Sequence, residues 1–333
     1  MIKGNLLYEA PGSLDDAVQV LMTGDSVTPL AGGTDLIPLM KQGVKKPRCL
    51  LDLKNIPSVK SITLRERDLM IGSMATLAEV AVHPLVNRIC PALAQSCRNV
   101  ASPQIRNVAT IAGNLLQERR CLYFNQSEYW RKGIPACLKL GGEVCHQVPQ
   151  SRTCRALYYS DTAPALLAFD ARLECYDRGK AEVVPLQEMI RRHVTGGNDK
   201  LLVTGILIPI PPEGTWGRFL KYGVRASIDF ATVNAALRFS PGAPGGPPSP
   251  KVKIFVGAVA PEPVELNETA EFLVAHFSKR ASLQGEIEER ARKEVSAKSA
   301  LIRETAVSLK TKRNAFDIAS EGVRELLSFL ASA

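Results

Sequence analysis

Long hydrophobic runs are missing from this 333-residue chain. No stretch approaches the roughly 18 consecutive apolar residues of a membrane span. The opening Met1-Ile2-Lys3-Gly4-Asn5 lacks the apolar region and small-residue cleavage site of a secretory signal. A cytoplasmic chain with no membrane partner is therefore expected. The nucleotide fingerprints G-x-G-x-x-G and G-x-x-x-x-G-K-[ST] are both absent, which leaves a Rossmann domain and a P-loop without support. Lys+Arg number 42 against 33 Asp+Glu, but no basic stripe is interleaved with aromatics, and nucleic acid is not expected as a partner. Only four histidines occur, His83, His146, His193 and His276, and the last third shows no nucleophile–base constellation. Short C-x(2–4)-C pairs, the usual mark of structural zinc, are missing too.

What is present is a chain large enough for two or three domains, with 45% hydrophobic residues and eight cysteines. In a reducing compartment clustered cysteines point to metal or redox chemistry rather than disulfides. Cys121, Cys137, Cys145 and Cys154 form such a cluster, whereas Cys49, Cys90, Cys97 and Cys175 stand alone in apolar surroundings and read as core packing.

Two glycine turns punctuate the first half. Ser13 is placed as the N-cap of a helix running to about Met22, with Asp15 and Asp16 in its first turn. Val27–Leu30 reads as a short strand, Ala31-Gly32-Gly33-Thr34-Asp35-Leu36 as a turn, Ile37–Lys41 as a helix and Cys49–Leu53 as a buried strand, with Pro57 marking the exit. Two glycines between strand and helix let backbone N–H groups face one concavity, which suits a pyrophosphate; taken alone, the steric need of a strand-to-helix turn is the readier explanation. A second α/β region follows, with strands at Ile62–Leu64 and Leu69–Gly72, a capping box at Thr76 and Glu79, and an amphipathic helix over Leu85–Val100. It leads into a second glycine turn, Arg106–Leu115, where Thr110 and Asn114 offer donors beside Gly113.

The pairing of Ala31-Gly32-Gly33-Thr34-Asp35-Leu36 with Ala109-Thr110-Ile111-Ala112-Gly113-Asn114 resembles the two FAD-binding loops of molybdenum hydroxylase flavoprotein subunits, the family of xanthine dehydrogenase FAD domains and carbon monoxide dehydrogenase medium subunits. Ser160-Asp161-Thr162-Ala163-Pro164-Ala165-Leu166, Phe219–Tyr222 and Ile228–Ala231 resemble further segments of the same family, so the likeness spans nearly the whole chain. It implies an α+β fold: a two-part α/β FAD-binding domain of the vanillyl-alcohol-oxidase/PCMH type (1–57 and 58–212) and a C-terminal domain of the CO dehydrogenase flavoprotein type (213–333) with a small antiparallel sheet backed by helices. It also implies that Ala31, Gly32, Gly33, Thr34, Asp35 and Leu36, with Ser102, Thr110, Ile111, Gly113 and Asn114, hold FAD, and that Asp161 and Lys221 lie near its ribityl and ring region.

The chain departs from the common family pattern at 116–159, an insertion that contains all four clustered cysteines. Tyr123, Phe124, Tyr129, Trp130 and Leu138 are its expected apolar anchors. The intervals between the cysteines leave an iron–sulfur cluster, zinc and free thiols all open. Within the family such a loop resembles that of the branch represented by the 4-hydroxybenzoyl-CoA reductase β subunit, and this implies Cys121, Cys137, Cys145 and Cys154 as ligands of one [4Fe–4S] cluster. It further implies a molybdopterin-binding large subunit, a [2Fe–2S] small subunit, a dimer of heterotrimers and ferredoxin as electron donor, with no catalytic residue on this chain. The insertion carries Arg119, Arg120, Arg131, Lys132, Lys139, Arg152 and Arg155, read as a solvated field for an acidic donor.

In the last third, Phe219–Tyr222, Phe230–Phe239 and Lys251–Val259 read as strands, with Ser240–Pro250 as a hairpin loop. Helices are expected over Glu265–Lys279, Leu283–Ala297 and Ser320–Ala331.

Overall fold

The structure is a computed structural model and describes residues 5–196, 200–225, 228–242, 250–300 and 306–332. The chain divides into two compact units that exchange segments: Met1–Val80, Ser102–Ala156 and Ala171–Ile208 form the first, and Ala81–Ala101, Leu157–Asp170 and Pro209–Ala333 the second.

The first unit opens with β1 (Leu7–Glu9), α1 (Leu14–Thr23), β2 (Val27–Leu30), α2 (Leu36–Lys41) and β3 (Cys49–Asp52). The strands form a parallel sheet in the order β1-β3-β2. Side chains alternate along a strand. Leu51 of the central strand joins the cluster of Ala17 and Leu21 from α1, and its neighbour Leu50 joins that of Leu30 and Met40 on the α2 side. Ser13 caps α1 as expected, accepting the Asp16 N–H at 3.2 Å. A five-stranded sheet follows, built from β4 (Ile62–Arg65), β5 (Asp68–Gly72), β6 (Arg172–Asp177), β7 (Lys180–Pro185) and β8 (Leu201–Pro209) in the order β4-β5-β8-β6-β7. The Thr76–Glu79 capping box is formed reciprocally, the Thr76 N–H donating to Glu79 at 2.8 Å and the Glu79 N–H to Thr76 Oγ1 at 3.2 Å.

The second unit is built on an antiparallel sheet of β9 (Trp216–Tyr222), β10 (Val233–Ser240), β11 (Lys251–Gly257) and β12 (Val264–Glu265), in the order β12-β11-β10-β9. β10 is buried along its whole length. Helices Pro91–Arg98 and Thr162–Ala168 pack on this sheet, and a core of Leu237, Ile254 and Val256 with Leu273, Ile287, Val295, Ile318 and Leu326 joins it to the helices Asn267–Ala275, Gln284–Lys298 and Ala306–Ser332. The helix expected over Leu85–Val100 is instead two, Pro84–Ile89 and Pro91–Arg98. Pro91 lacks an N–H and drives Cys90 out of helical geometry, to φ −137° and ψ 69°. The last helix begins well before Ser320, and the middle of the expected hairpin loop, 243–249, lies outside the described residues. No helix among the described residues is long and apolar enough to cross a membrane.

Within this helical layer the buried Glu294 caps a neighbour. It accepts the Glu268 and Thr269 N–H groups at 3.0 and 2.8 Å and the Thr269 hydroxyl at 2.7 Å, and it pairs with Lys298 at 2.6 Å. Burial alone pushes its carboxyl up, but Lys298 and the Thr269 donors hold it below the ordinary glutamate value. Glu294→Ala strands these donors, so thermal or urea unfolding of the variant is expected to show a loss of about 2–4 kcal/mol.

Candidate functional site

The two glycine turns, distant in sequence, lie against each other in the first unit. A Cβ on Gly32 would sit 2.0 Å from the Val108 carbonyl oxygen, so only glycine permits this approach. Gly33 has φ +74°, and a Cβ on Gly113 would meet Thr110 Oγ1 at 2.9 Å. The second turn is pinned from below: the Leu77 N–H donates to Ala109 O (2.9 Å), the Ile111 N–H to Ala75 O (2.9 Å) and the Ala112 N–H to Ser73 O (3.2 Å). Thr110 caps the short helix Ile111–Leu115 by accepting the Gly113 N–H at 3.2 Å. Ser102 plays the same part for Pro103–Arg106, accepting the Ile105 N–H at 3.3 Å. Ala31, Gly32, Gly33, Thr34, Asp35 and Leu36 are all partly exposed, as are Gly113 and Asn114, so the paired turns form an accessible glycine-lined surface.

The insertion is fastened to both ends of α2, the helix that leaves the first turn. At its start Asp35 accepts the Glu118 N–H at 3.0 Å and pairs with Arg120 at 2.8 Å. Beyond its end the Glu128 N–H donates to Gln42 O at 3.1 Å, Lys46 pairs with Glu128 at 2.8 Å, and Arg131 donates to Gly43 O at 2.9 Å.

Cys121, Cys137, Cys145 and Cys154 line one pocket, together with Phe124, Lys139 and His146. All eight cysteines are free thiols, and the four assigned to packing, Cys49, Cys90, Cys97 and Cys175, are buried away from it. The Tyr123 N–H already donates to Cys121 Sγ at 3.4 Å, and a Cys137–Val144 bridge folds the loop back on itself. His146 Nε2 donates to Pro135 O at 2.8 Å. Among the described residues no three His, Cys, Asp or Glu side chains converge closely enough to hold a single metal ion. Of the expected apolar anchors Phe124 is buried, whereas Tyr129 is 92% exposed and Trp130 is exposed as well.

The expected basic docking field is solvated only in part: Lys132 and Arg152 are exposed, and other members turn inward. Arg119 is buried, Arg120 pairs with Asp35, Arg131 turns to main-chain carbonyls including Phe124 O and Gln126 O, and Lys139 is part-buried against Glu118. Much of the charge therefore points inward. Glu118, which also pairs with Lys45 at 3.0 Å, is pushed up by burial but held at about 2 by Lys139 and Lys45. Burial draws the Lys139 ammonium down, with Glu118 opposing it. His193 is part-buried with its Nε2 3.0 Å from Gln117 O, and desolvation lowers its pKa. Sequence reading missed Glu118 and Lys45, because their partners lie far along the chain and leave no local pattern.

In the second unit Asp161 pairs with Lys221 at 2.7 Å and accepts from Asn234 Nδ2 at 2.7 Å, while Lys221 also donates to Asn99 O at 2.8 Å. Asn234 faces Lys221 across the β9–β10 ladder and Gly257 across β10–β11. Burial pushes the Asp161 carboxyl up against the pull of Lys221. The structure thus brings Asp161 and Lys221 together in one unit and the two glycine turns together in the other.

Residues 3–211 match the family described as the FAD binding domain in molybdopterin dehydrogenase. The chain belongs to this family. It is 31% identical over 248 residues to the aldehyde oxidoreductase FAD-binding subunit PaoB of Escherichia coli K12, covering 70% of this chain and 75% of that one. It is 27% identical over 235 residues to the putative xanthine dehydrogenase FAD-binding subunit XdhB of the same organism, where the match covers 69% of this chain and 66%, just under two thirds, of the relative. Its fold is shared with a chain of the reconstituted CO dehydrogenase from Oligotropha carboxidovorans, at TM-score 0.73 and 24% identity over 96% of this chain and 97% of that one.

Two predictions follow from this geometry. Gly32→Val forces the first turn off Val108; the folded variant is expected to lose most of its flavin absorbance per chain and about 1–3 kcal/mol of stability. Full flavin content in the folded variant would place the flavin elsewhere. The second concerns pH. Because the folded-state value of Glu118 lies below its ordinary 4.5, its contribution is complete above that pH and is lost as pH falls toward about 2. Glu118→Gln should therefore flatten the melting temperature against pH between those values relative to the parent chain.

Proposed function

We propose that this chain is the FAD-binding, electron-transferring subunit of a multi-subunit molybdenum enzyme, and that its four-cysteine pocket holds a [4Fe–4S] cluster. The observation that carries the cluster is the meeting of Cys121, Cys137, Cys145 and Cys154 in one pocket with buried positive charge beside it. The family match and the contact between the two glycine turns support the flavin. Subdomains 1–57 and 58–212, with the insertion 116–159, would serve the flavin and the cluster, and 213–333 would be the C-terminal domain.

The parts divide by chemistry. Gly32, Gly33 and Gly113 admit the diphosphate close to the backbone, with Thr34, Thr110 and Asn114 supplying side-chain hydrogen bonds. The four cysteines bind as thiolates, and Phe124 covers the pocket. When bound, FAD exchanges electrons singly or in pairs and a cluster exchanges them singly, so together they join donors and acceptors of different electron number. This chain offers no substrate chemistry of its own. That belongs to a molybdopterin-binding large subunit reached through a [2Fe–2S] small subunit, in a dimer of heterotrimers supplied by a ferredoxin.

The cysteine insertion favours reductive removal of the hydroxyl group of 4-hydroxybenzoyl-CoA as the reaction of the assembled enzyme. The named relatives favour a second reading, the flavin subunit of an aldehyde, purine or N-heterocycle dehydrogenase. Turnover of 4-hydroxybenzoyl-CoA by the complex purified anaerobically from its host separates the two.

Cys137→Ser or Cys145→Ser is expected to remove about four irons per chain while leaving flavin bound, and Cys49→Ser or Cys175→Ser to leave iron unchanged. Elemental analysis and flavin absorbance read both. Equal iron in all variants would refute the ligand set, zinc in place of iron would make the pocket a structural metal site, and joint loss of flavin would make the insertion a support for the flavin site.

A further inference from the structure

Arg119 occupies an unusual position for a charged side chain. It is 6% exposed, and among the described residues its guanidinium reaches only main-chain oxygens, Val194 O at 2.8 Å and, at a long 3.5 Å, Cys154 O of the fourth cysteine itself. No carboxylate of a described residue forms an ion pair with it. Close by, Lys139 lines the cysteine pocket, donates to the Arg119 carbonyl at 3.2 Å and lies 4.3 Å from the centre of the Phe124 ring. The one acidic group among them, Glu118, is shared between Lys139 and Lys45. Among the described residues here, one carboxylate thus stands against three cations, of which Arg119 is buried and Lys139 largely shielded.

Burying a guanidinium without an anion is strongly unfavourable. The uncompensated positive charge lies beside four thiols that, as thiolates around an iron–sulfur core, carry net negative charge in both redox states and one unit more when reduced. We propose that Arg119, with Lys139, is the counter-charge of the cluster, and that it raises the cluster's reduction potential by favouring the more negative, reduced state. This rests on the cluster reading above. Arg119 acts on the cluster through space and through the Cys154 main chain, as a positioning residue.

The test is a redox titration followed by electron paramagnetic resonance on the intact complex, with iron and flavin content measured in parallel. In Arg119→Gln the reduced-to-oxidised ratio at a fixed potential is expected to fall about tenfold, ~59 mV for a one-electron couple. Arg119→Lys, which keeps the charge, is expected to recover most of it, and Lys139→Gln to shift the potential in the same direction as Arg119→Gln. Loss of iron from Arg119→Gln but not from Arg119→Lys also supports the proposal, since charge and not shape then decides cluster retention. An unchanged potential in Arg119→Gln, or equal loss of iron from the Gln and Lys variants, overturns it without touching the cluster reading of the parent complex. A parent complex without iron overturns the cluster reading instead.

Discussion

Asp35 is the residue on which the first unit turns. It begins α2 at the edge of the first glycine turn, yet its carboxylate is directed at the insertion, accepting the Glu118 N–H and pairing with Arg120. The loop that carries the cysteines is short of regular structure: one helical turn at Glu128–Arg131 and one 3-10 turn at Leu138–Leu140. Its internal backbone hydrogen bonds are mostly local turns, such as Asn125 N–H to Cys121 O and Gly142 N–H to Cys137 O, which do not by themselves fix the course of so long a loop. Asp35 at one end of α2 and the contacts of Glu128 and Arg131 with Gln42 and Gly43 at the other supply the missing constraint.

The same constraint settles where the positive charge goes. Arg120 and Arg131 are drawn to α2, and once they are fixed, Arg119 and Lys139 are carried beneath the loop toward the cysteines. An exposed ion pair contributes little, so the exposed pairs Lys46–Glu128 and Lys132–Glu128 do not decide this arrangement. The buried ones do, because a buried charge with no answering group would drive the loop open.

Much of this frame was legible in the sequence because local signals carried it. Ser13, Thr76 and Glu79 announced helix starts by the spacing of their oxygens, and Gly32, Gly33 and Gly113 marked the turns. The strands β6, β7 and β8 went unread, since half-buried antiparallel strands such as Lys180–Pro185 carry only a weak alternation. The break at Cys90–Pro91 was written in the proline but was overridden by an apolar pattern that continues across it. The direction of the basic side chains was not legible at all. Whether Arg119 faces water or Cys154 depends on partners tens of residues away, and composition records only that the charge exists.

The two halves of the site differ in what secures them, and this bears on how they can act together. The second glycine turn is held by the Leu77, Ile111 and Ala112 ladder to residues 73–77 and 109–112, none of which belongs to the insertion. Gly32 is held by contact with Val108. The glycine turns therefore keep their shape whether or not the four cysteines are engaged. Asp35 links the first turn to the insertion through a main-chain donor as well as through Arg120, and the start of the insertion meets the second turn where the Leu116 N–H donates to Ala112 O at 2.9 Å and Gln117 to Asn114 O at 2.8 Å, so loosening the cysteine loop removes partners from the turns while the backbone contact between them persists. A change at the cysteines can therefore reach the first glycine turn through the Asp35 carboxylate and the second through Leu116 and Gln117.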